Sequence, residues 1–173
     1  MVKADFCRRQ QGFTLVELLV GLALTAMLLA GAMTVLSANI RVWMEGRAGV
    51  EVQQAARYAV SVMARELSYG DTYTLQASGA DISFRDIRSN ATVRYFLSGG
   101  KLFRETGGSP QPVTGDNALS ANVVISAPSG ETLFSQRAGN TYAVYIALTA
   151  TDTVTNQTVT LRTAVTGLSQ YIK

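Results

Sequence analysis

The chain has 173 residues, of which only 16% are charged against 47% hydrophobic, too little charge for a protein surrounded everywhere by water. Its net charge of +3 is concentrated in Lys3, Arg8 and Arg9; beyond Gly12 the balance is almost neutral and the remaining cations are dispersed, so no basic footprint for nucleic acid is present. There is no His, and Cys7 is the only cysteine, which excludes Ser-His and Cys-His catalysis, His-ligated metals, zinc fingers and an intrachain disulfide.

Residues 1–12 are polar and net positive, ending in Arg8-Arg9-Gln10-Gln11-Gly12. From Phe13 the character changes: Phe13-Thr14-Leu15-Val16-Glu17 leads into Leu18–Leu36, 19 residues without a charge. As a helix that stretch is about 28 Å long, close to the hydrocarbon thickness of a bilayer. A cleavable secretory signal has a shorter apolar run, about 7–15 residues. Arg8 and Arg9 on the leading side favour a cytoplasmic N-terminus, a bias that Arg41 on the far side weakens without reversing.

Beyond Ile40 the helical pattern turns amphipathic. Val52, Ala56, Ala59, Met63 and Leu67 form an apolar stripe, with Gln53, Arg57, Ser61 and Arg65 on the wet face. No proline precedes Pro110, so one continuous helix is expected from Phe13 to Ser68, stopped at Gly70 and Asp71. Gly21, Gly31, Gly46 and Gly49 are softer points within it. The predicted organisation is a short basic N-terminal segment (1–12), an apolar half-helix (13–40), an amphipathic half-helix (41–70) and a globular β domain (71–173).

From Asp71 the period becomes alternating. Strands are expected at 73–76, 81–86, 92–97, 101–105, 122–126, 141–150 and 157–165, rich in Tyr, Phe, Val, Ile and Thr. Ser98-Gly99-Gly100-Lys101 reads as a hairpin turn, as does Thr153–Asn156, and Gly107–Asn117 reads as a loop. The predicted fold class is α+β: a long N-terminal helix whose apolar stripe covers one face of a single antiparallel sheet.

Gly12-Phe13-Thr14-Leu15-Val16-Glu17, preceded by basic residues and followed by an uncharged span, resembles the prepilin signature of type IV pilins and type II secretion pseudopilins. That resemblance implies a pilin-like fold and cleavage between Gly12 and Phe13 by a membrane prepilin peptidase. It also implies N-methylation of Phe13 and polymerisation into a pilus or pseudopilus. The implied partners are other pilin or pseudopilin subunits, the peptidase/methyltransferase, an inner-membrane assembly platform and membrane lipid. The implied location is the cytoplasmic membrane, then an extracytoplasmic filament, with neither catalytic residues nor cofactor nor metal. Gln53-Gln54-Ala55-Ala56-Arg57, Met63-Ala64-Arg65-Glu66-Leu67 and the hairpin from Tyr95 to Arg104 are similar to the J-type minor pseudopilins. Two features depart from the family's pattern: the apolar helix has no proline, leaving Gly31 and Thr34 as its weak points, and no cysteine pair closes a C-terminal loop.

Glu17 has two readings. Four residues from Phe13, its carboxylate reaches the membrane interface; or, as the resemblance implies, it pairs with the Phe13 α-amino group of a neighbouring subunit and fixes axial register. Gly12 is a helix breaker or a scissile residue whose bare backbone enters a narrow cleft. Gly21, Ala23, Thr25, Ala26, Ala30 and Gly31 either line a close helix–helix contact or are ordinary membrane-span residues. Arg57, Arg65 and Glu66 read as a solvated or subunit-facing edge. Asp152 and Asn156 suggest a turn ahead of a calcium site, which needs more oxygen ligands. Tyr142, Tyr145 and Tyr171 stand as an unassigned aromatic group. The leading functional reading is a minor pilin-like subunit of a type IV filament system. The alternatives are a type II secretion minor pseudopilin and a membrane-tethered β domain, for adhesion or ligand binding, that never polymerises.

Overall fold

A computed structural model of the chain describes residues 12–114, 122–136 and 139–168. Cys7, Arg8, Arg9, Tyr171 and the end of the predicted 107–117 loop lie outside those residues. The chain divides into two compact units, Met1–Trp43 and Met44–Lys173. One helix, α1 (Leu15–Ser68), supplies all the regular structure described in the first unit and opens the second.

In the first unit every described residue is exposed, including Leu18, Leu22, Leu28 and Met33. Polar side chains inside this apolar stretch turn back on their own helix. The Thr25 hydroxyl donates to the Gly21 carbonyl at 2.7 Å, Thr34 to Gly31 at 2.7 Å and Ser37 to Thr34 at 2.9 Å. Each hydroxyl is thereby satisfied without water, as a hydrocarbon surrounding requires.

Among the described residues, the second unit consists of the rest of α1 and nine strands: β1 (Gly70–Leu75), β2 (Asp81–Asp86), β3 (Thr92–Ser98), β4 (Lys101–Thr106), β5 (Ser109–Pro112), β6 (Val123–Ser126), β7 (Phe134–Gln136), β8 (Ala143–Asp152) and β9 (Thr158–Thr166). The expected single sheet is instead two. β1 to β5 form an antiparallel meander in sequence order; in the second sheet β8 pairs with β6 and β7 along one edge and with β9 along the other. The stripe Val52, Ala56, Ala59, Met63 and Leu67 is buried as its spacing predicts. It shares one core with Ile82, Phe84, Val93, Tyr95 and Leu102 of the first sheet and with Ile125, Phe134, Ile146 and Leu148 of the second.

Two glycine turns join the sheets. The Phe134 N–H donates to the Gly79 carbonyl at 2.8 Å, and the Ile125 N–H to the Gly100 carbonyl at 2.7 Å. Both glycines have positive φ, and a Cβ on either would strike Thr132 or Val124 at under 3 Å. Part of the predicted 107–117 loop is the edge strand β5. The Val113 N–H donates inward to the Leu102 carbonyl, so the alternate positions Pro110 and Pro112 point away from β4, where a missing N–H breaks no ladder bond.

The helix ends where expected but by another device. Gly70 is already in β1, and the Tyr69 N–H bonds the Glu66 carbonyl at 3.0 Å. Thr72, with φ +57°, sits within a register shift of β1. Tyr73 there donates its hydroxyl to the terminal carbonyl of Leu67 at 2.5 Å. A Cβ on Gly70 would lie 2.6 Å from the Tyr73 ring, which is why that position lacks a side chain.

Candidate functional site

Gly12 and Phe13 precede the helix in irregular, exposed backbone, and Phe13 is 84% exposed. A Cβ placed on Gly12 meets nothing within 4 Å, so packing inside the subunit does not call for glycine there. Thr14 is the N-cap of α1. The Glu17 N–H donates to Thr14 Oγ1 at 3.2 Å, while the Thr14 N–H and hydroxyl both donate to Glu17 Oε2 at 3.2 Å. The Leu18 N–H closes the first turn on the Thr14 carbonyl. This is a reciprocal capping box, Thr-x-x-Glu, which satisfies backbone donors that no intrahelical carbonyl can reach.

Glu17 therefore does something that neither sequence reading named: it holds the first turn of its own helix. The Thr14-x-x-Glu17 spacing was the available signal. Its carboxylate also lies at the positive end of the helix dipole, an arrangement worth about 0.3–1 kcal/mol. Both capping bonds use Oε2, and Oε1 takes part in neither. The structure brings Phe13, Thr14 and Glu17 within one turn; a pairing between subunits concerns atoms of another chain.

Residues 7–33 match the family model described as the prokaryotic N-terminal methylation motif. The chain carries a prokaryotic N-terminal methylation motif. The motif spans Gly12, Phe13 and Glu17 and supports the type IV pilin and pseudopilin class; the fold, one long helix on antiparallel sheets, is consistent with pilin architecture. No curated protein and no solved structure matches the chain. α1 is long and apolar enough to cross a membrane, and together with the methylation motif this supports membrane anchoring. Such a motif also implies processing by a prepilin peptidase and assembly with other pilin subunits.

The second group singled out from the sequence is rearranged. Arg57 and Arg65 are exposed, but Glu66 is not part of a solvated edge. Its Oε2 accepts the Tyr95 hydroxyl at 2.8 Å and Arg104 Nε at 2.8 Å, with 16% of its side chain exposed. Tyr95 and Arg104 are register partners across β3 and β4, so the hairpin presents a hydroxyl and a guanidinium together to the last turns of α1. Burial raises the Tyr95 hydroxyl well above the ordinary tyrosine range, and the Glu66 charge adds to it; hydrogen bonding to Glu66 raises Arg104 in turn. The sequence hid this because Glu66 stands beside Arg65, and the sheet partner is 29 residues away.

Asp152 and Asn156 form a turn. Asp152 Oδ2 accepts the Thr155 N–H at 2.9 Å and its hydroxyl at 2.7 Å, and Asn156 has φ +56°. Tyr142 and Tyr145 are exposed to a similar degree, but Tyr145 lies on the outer face of β8 whereas Tyr142 precedes the strand.

Proposed function

We propose that the chain is a minor pilin-like subunit of a type IV filament system, with a structural and not an enzymatic role. The reading rests on the methylation motif at residues 7–33, placed where an exposed capped turn leads into a fully exposed apolar helix. In this reading residues 1–12 are a cytoplasmic leader removed between Gly12 and Phe13, and Phe13 is N-methylated. Residues 13–40 hold the subunit in the cytoplasmic membrane and then in the filament core. Residues 41–70 and 71–173 form the outward β domain. Glu17 meets the Phe13 amine of a neighbouring subunit. Shedding the leader places a new positive amine one residue before the N-cap, beside the unfavourable end of its own helix dipole, so a carboxylate from a neighbour is a better partner for it than water-free surroundings. The residues similar to J-type minor pseudopilins, Gln53–Arg57 and Met63–Leu67, favour type II secretion as the second reading.

Because Glu17 also caps its helix, the decisive comparison is Glu17→Gln with Glu17→Ala. Gln keeps a capping-box acceptor and removes the charge; Ala removes both. Intact-mass measurement of membrane fractions should show a mature chain starting at methylated Phe13 for wild type and both variants. In sheared filaments both variants should be depleted at least tenfold at constant membrane level, because breaking one side of a buried ion pair costs about 3–5 kcal/mol. If Glu17→Gln enters filaments as wild type does, the charge pairing is wrong. If the chain keeps residues 1–12, or the wild type never enters filaments, the tethered-domain alternative replaces this reading.

A further inference from the structure

The polar side chains in the apolar half of α1 fall into two groups, divided between Ser37 and Asn39. Thr25, Thr34 and Ser37 each donate a hydroxyl to a carbonyl of their own helix. Asn39 is exposed, and its side-chain amide makes no hydrogen bond among the described residues. An amide without a partner is costly in hydrocarbon but not at a wet surface. The hydrocarbon layer around this helix therefore ends before Asn39. Arg41, the first charge after Glu17, follows two residues later.

The length of the helix agrees with that boundary. From Glu17 to Ala38 the rise is about 32 Å, against about 30 Å of hydrocarbon in a bilayer. From Glu17 to Trp43 it is about 39 Å, which reaches the headgroup zone of a bilayer about 40–45 Å thick overall. Trp43 stands one turn beyond Asn39 on the same face of the helix and is 64% exposed. Its Cα–Cβ bond tilts toward the helix N-terminus, and so back toward the edge of the hydrocarbon. Ile40 and Val42 beside it are exposed as well.

We infer that Trp43 is the residue through which the span meets the extracytoplasmic headgroup layer, its indole ring lying among the glycerol esters of the lipid. The inference rests on the reading of residues 13–40 as the membrane half. An indole is a large apolar ring with one polar edge, which suits a layer that is apolar on one side and wet on the other. Ile40 and Val42 point to nearly opposite sides of the helix. A surrounding lipid layer covers both, whereas a single neighbouring surface covers one. Arg41 between them carries its charge outward on an aliphatic stem, so it does not keep lipid away.

Trp43 is the only tryptophan in the chain, so its fluorescence reports its own depth. The test places the full chain in phosphatidylcholine vesicles at low protein-to-lipid ratio, with iodide on both sides as the aqueous quencher. Lipids brominated near the glycerol end or near the methyl end of their chains quench at the two depths. Shallow bromines should quench Trp43 at least about twofold more than deep ones, as a ring at the interface requires. Iodide should quench it less than it quenches free tryptophan. The reference is the double variant Trp43→Phe with Leu28→Trp, which moves the probe about 22 Å along the helix to an exposed position. There the order should reverse, deep bromines quenching more. If the reference reverses but Trp43 is quenched by iodide as fully as free tryptophan, the span stands and the headgroup contact is wrong. The contact is equally wrong if deep bromines quench Trp43 most, or if protein shields it from both iodide and bromines. If neither brominated lipid quenches the reference, the membrane span itself is wrong and the contact falls with it.

Discussion

Leu28 and Leu67 are the same side chain on the same helix, yet one is 75% exposed and the other wholly buried. Up to Trp43 the apolar residues of α1 surround the helix and none is covered within the subunit; beyond Met44 they contract to a stripe that the sheets bury. The difference lies in arrangement. An all-round apolar surface has no single face for a sheet to cover and suits lipid or neighbouring helices, whereas a stripe commits the helix to one partner surface.

Exchanging a carboxylate into each half breaks this comparison most sharply. Met63→Asp buries an unpaired charge among residues with no exposure, in addition to the packing lost. A loss of about 4 kcal/mol or more, a large part of the stability of an ordinary domain, should abolish the cooperative thermal transition. Leu28→Asp should leave that transition where it is, since Leu28 is exposed and is not a core residue. Its effect should appear in membrane insertion instead, at about 2.5–3.5 kcal/mol for a central position. Equal melting of wild type and Met63→Asp would show that the stripe does not face the core.

A smaller loss is expected where the packed half meets its polar anchor. Glu66→Ala leaves the Tyr95 hydroxyl and the Arg104 guanidinium without their shared acceptor. With Arg104 still 31% exposed, the expected destabilisation is about 2 kcal/mol, below the 3–5 kcal/mol of a fully buried pair. Denaturant unfolding of Glu66→Ala, Arg104→Met and the double variant should give a coupling of about 1 kcal/mol or more.

The helix boundary and its stripe could be read from the sequence because 3.6-residue periodicity and the absence of proline are local properties. So could the β3–β4 hairpin, fixed by Gly99-Gly100. The division into two sheets could not, since it depends on Gly79 and Gly100 accepting bonds from residues 55 and 25 positions later. β5 was masked by its own prolines, which suit a turn as well as an edge, and β7 is too short for alternation to register. At the site, Gly12, Phe13 and Glu17 stood out as a string. The capping role of Glu17 was present in the Thr14-x-x-Glu17 spacing, while the anchoring role of Glu66 depends on a Tyr and an Arg brought together by strand register.

The turn covering the end of the packed half gives the comparison a pH dependence. Arg88 lies 3.8 Å over the Tyr69 ring, and the Ile87 N–H bonds the Tyr69 carbonyl. Asp86 holds that turn, accepting the Arg88 backbone N–H at 2.8 Å and its guanidinium at 2.9 Å. Hydrogen bonding to Arg88 depresses the Asp86 carboxyl below its ordinary value, against the opposing effect of burial. A depressed folded-state pKa stabilises above the unfolded value, about 3.8, and that contribution disappears as pH falls through the lower folded value. Stability of the wild type should therefore fall more steeply below about pH 4 than that of Asp86→Asn, with the two curves parallel from pH 5 to 7. Parallel curves down to pH 2 would show that Asp86 carries no such linkage.

The smallest expected effect tests how the packed half stops. The Tyr73 hydroxyl reaches the Leu67 carbonyl at 2.5 Å and the Gly70 carbonyl at 3.1 Å, replacing the glycine C-cap that the sequence suggests. Burial, with a contribution from Asp71, pushes that hydroxyl up to about 12, so it remains a donor throughout the neutral range. Tyr73→Phe keeps the ring, which packs 6.1 Å from Phe84, and removes only the donor. The loss should be about 1 kcal/mol, since the Leu67 carbonyl gives up its capping partner. Hydrogen exchange should localise it. Amides of the last turn of α1, from Ala64 to Ser68, should exchange faster, while those near Val52, three turns away, stay unchanged. Acceleration that extends equally to Val52 would mean that the helix end and its middle open together, and that the Tyr73 cap does not act as a local stop.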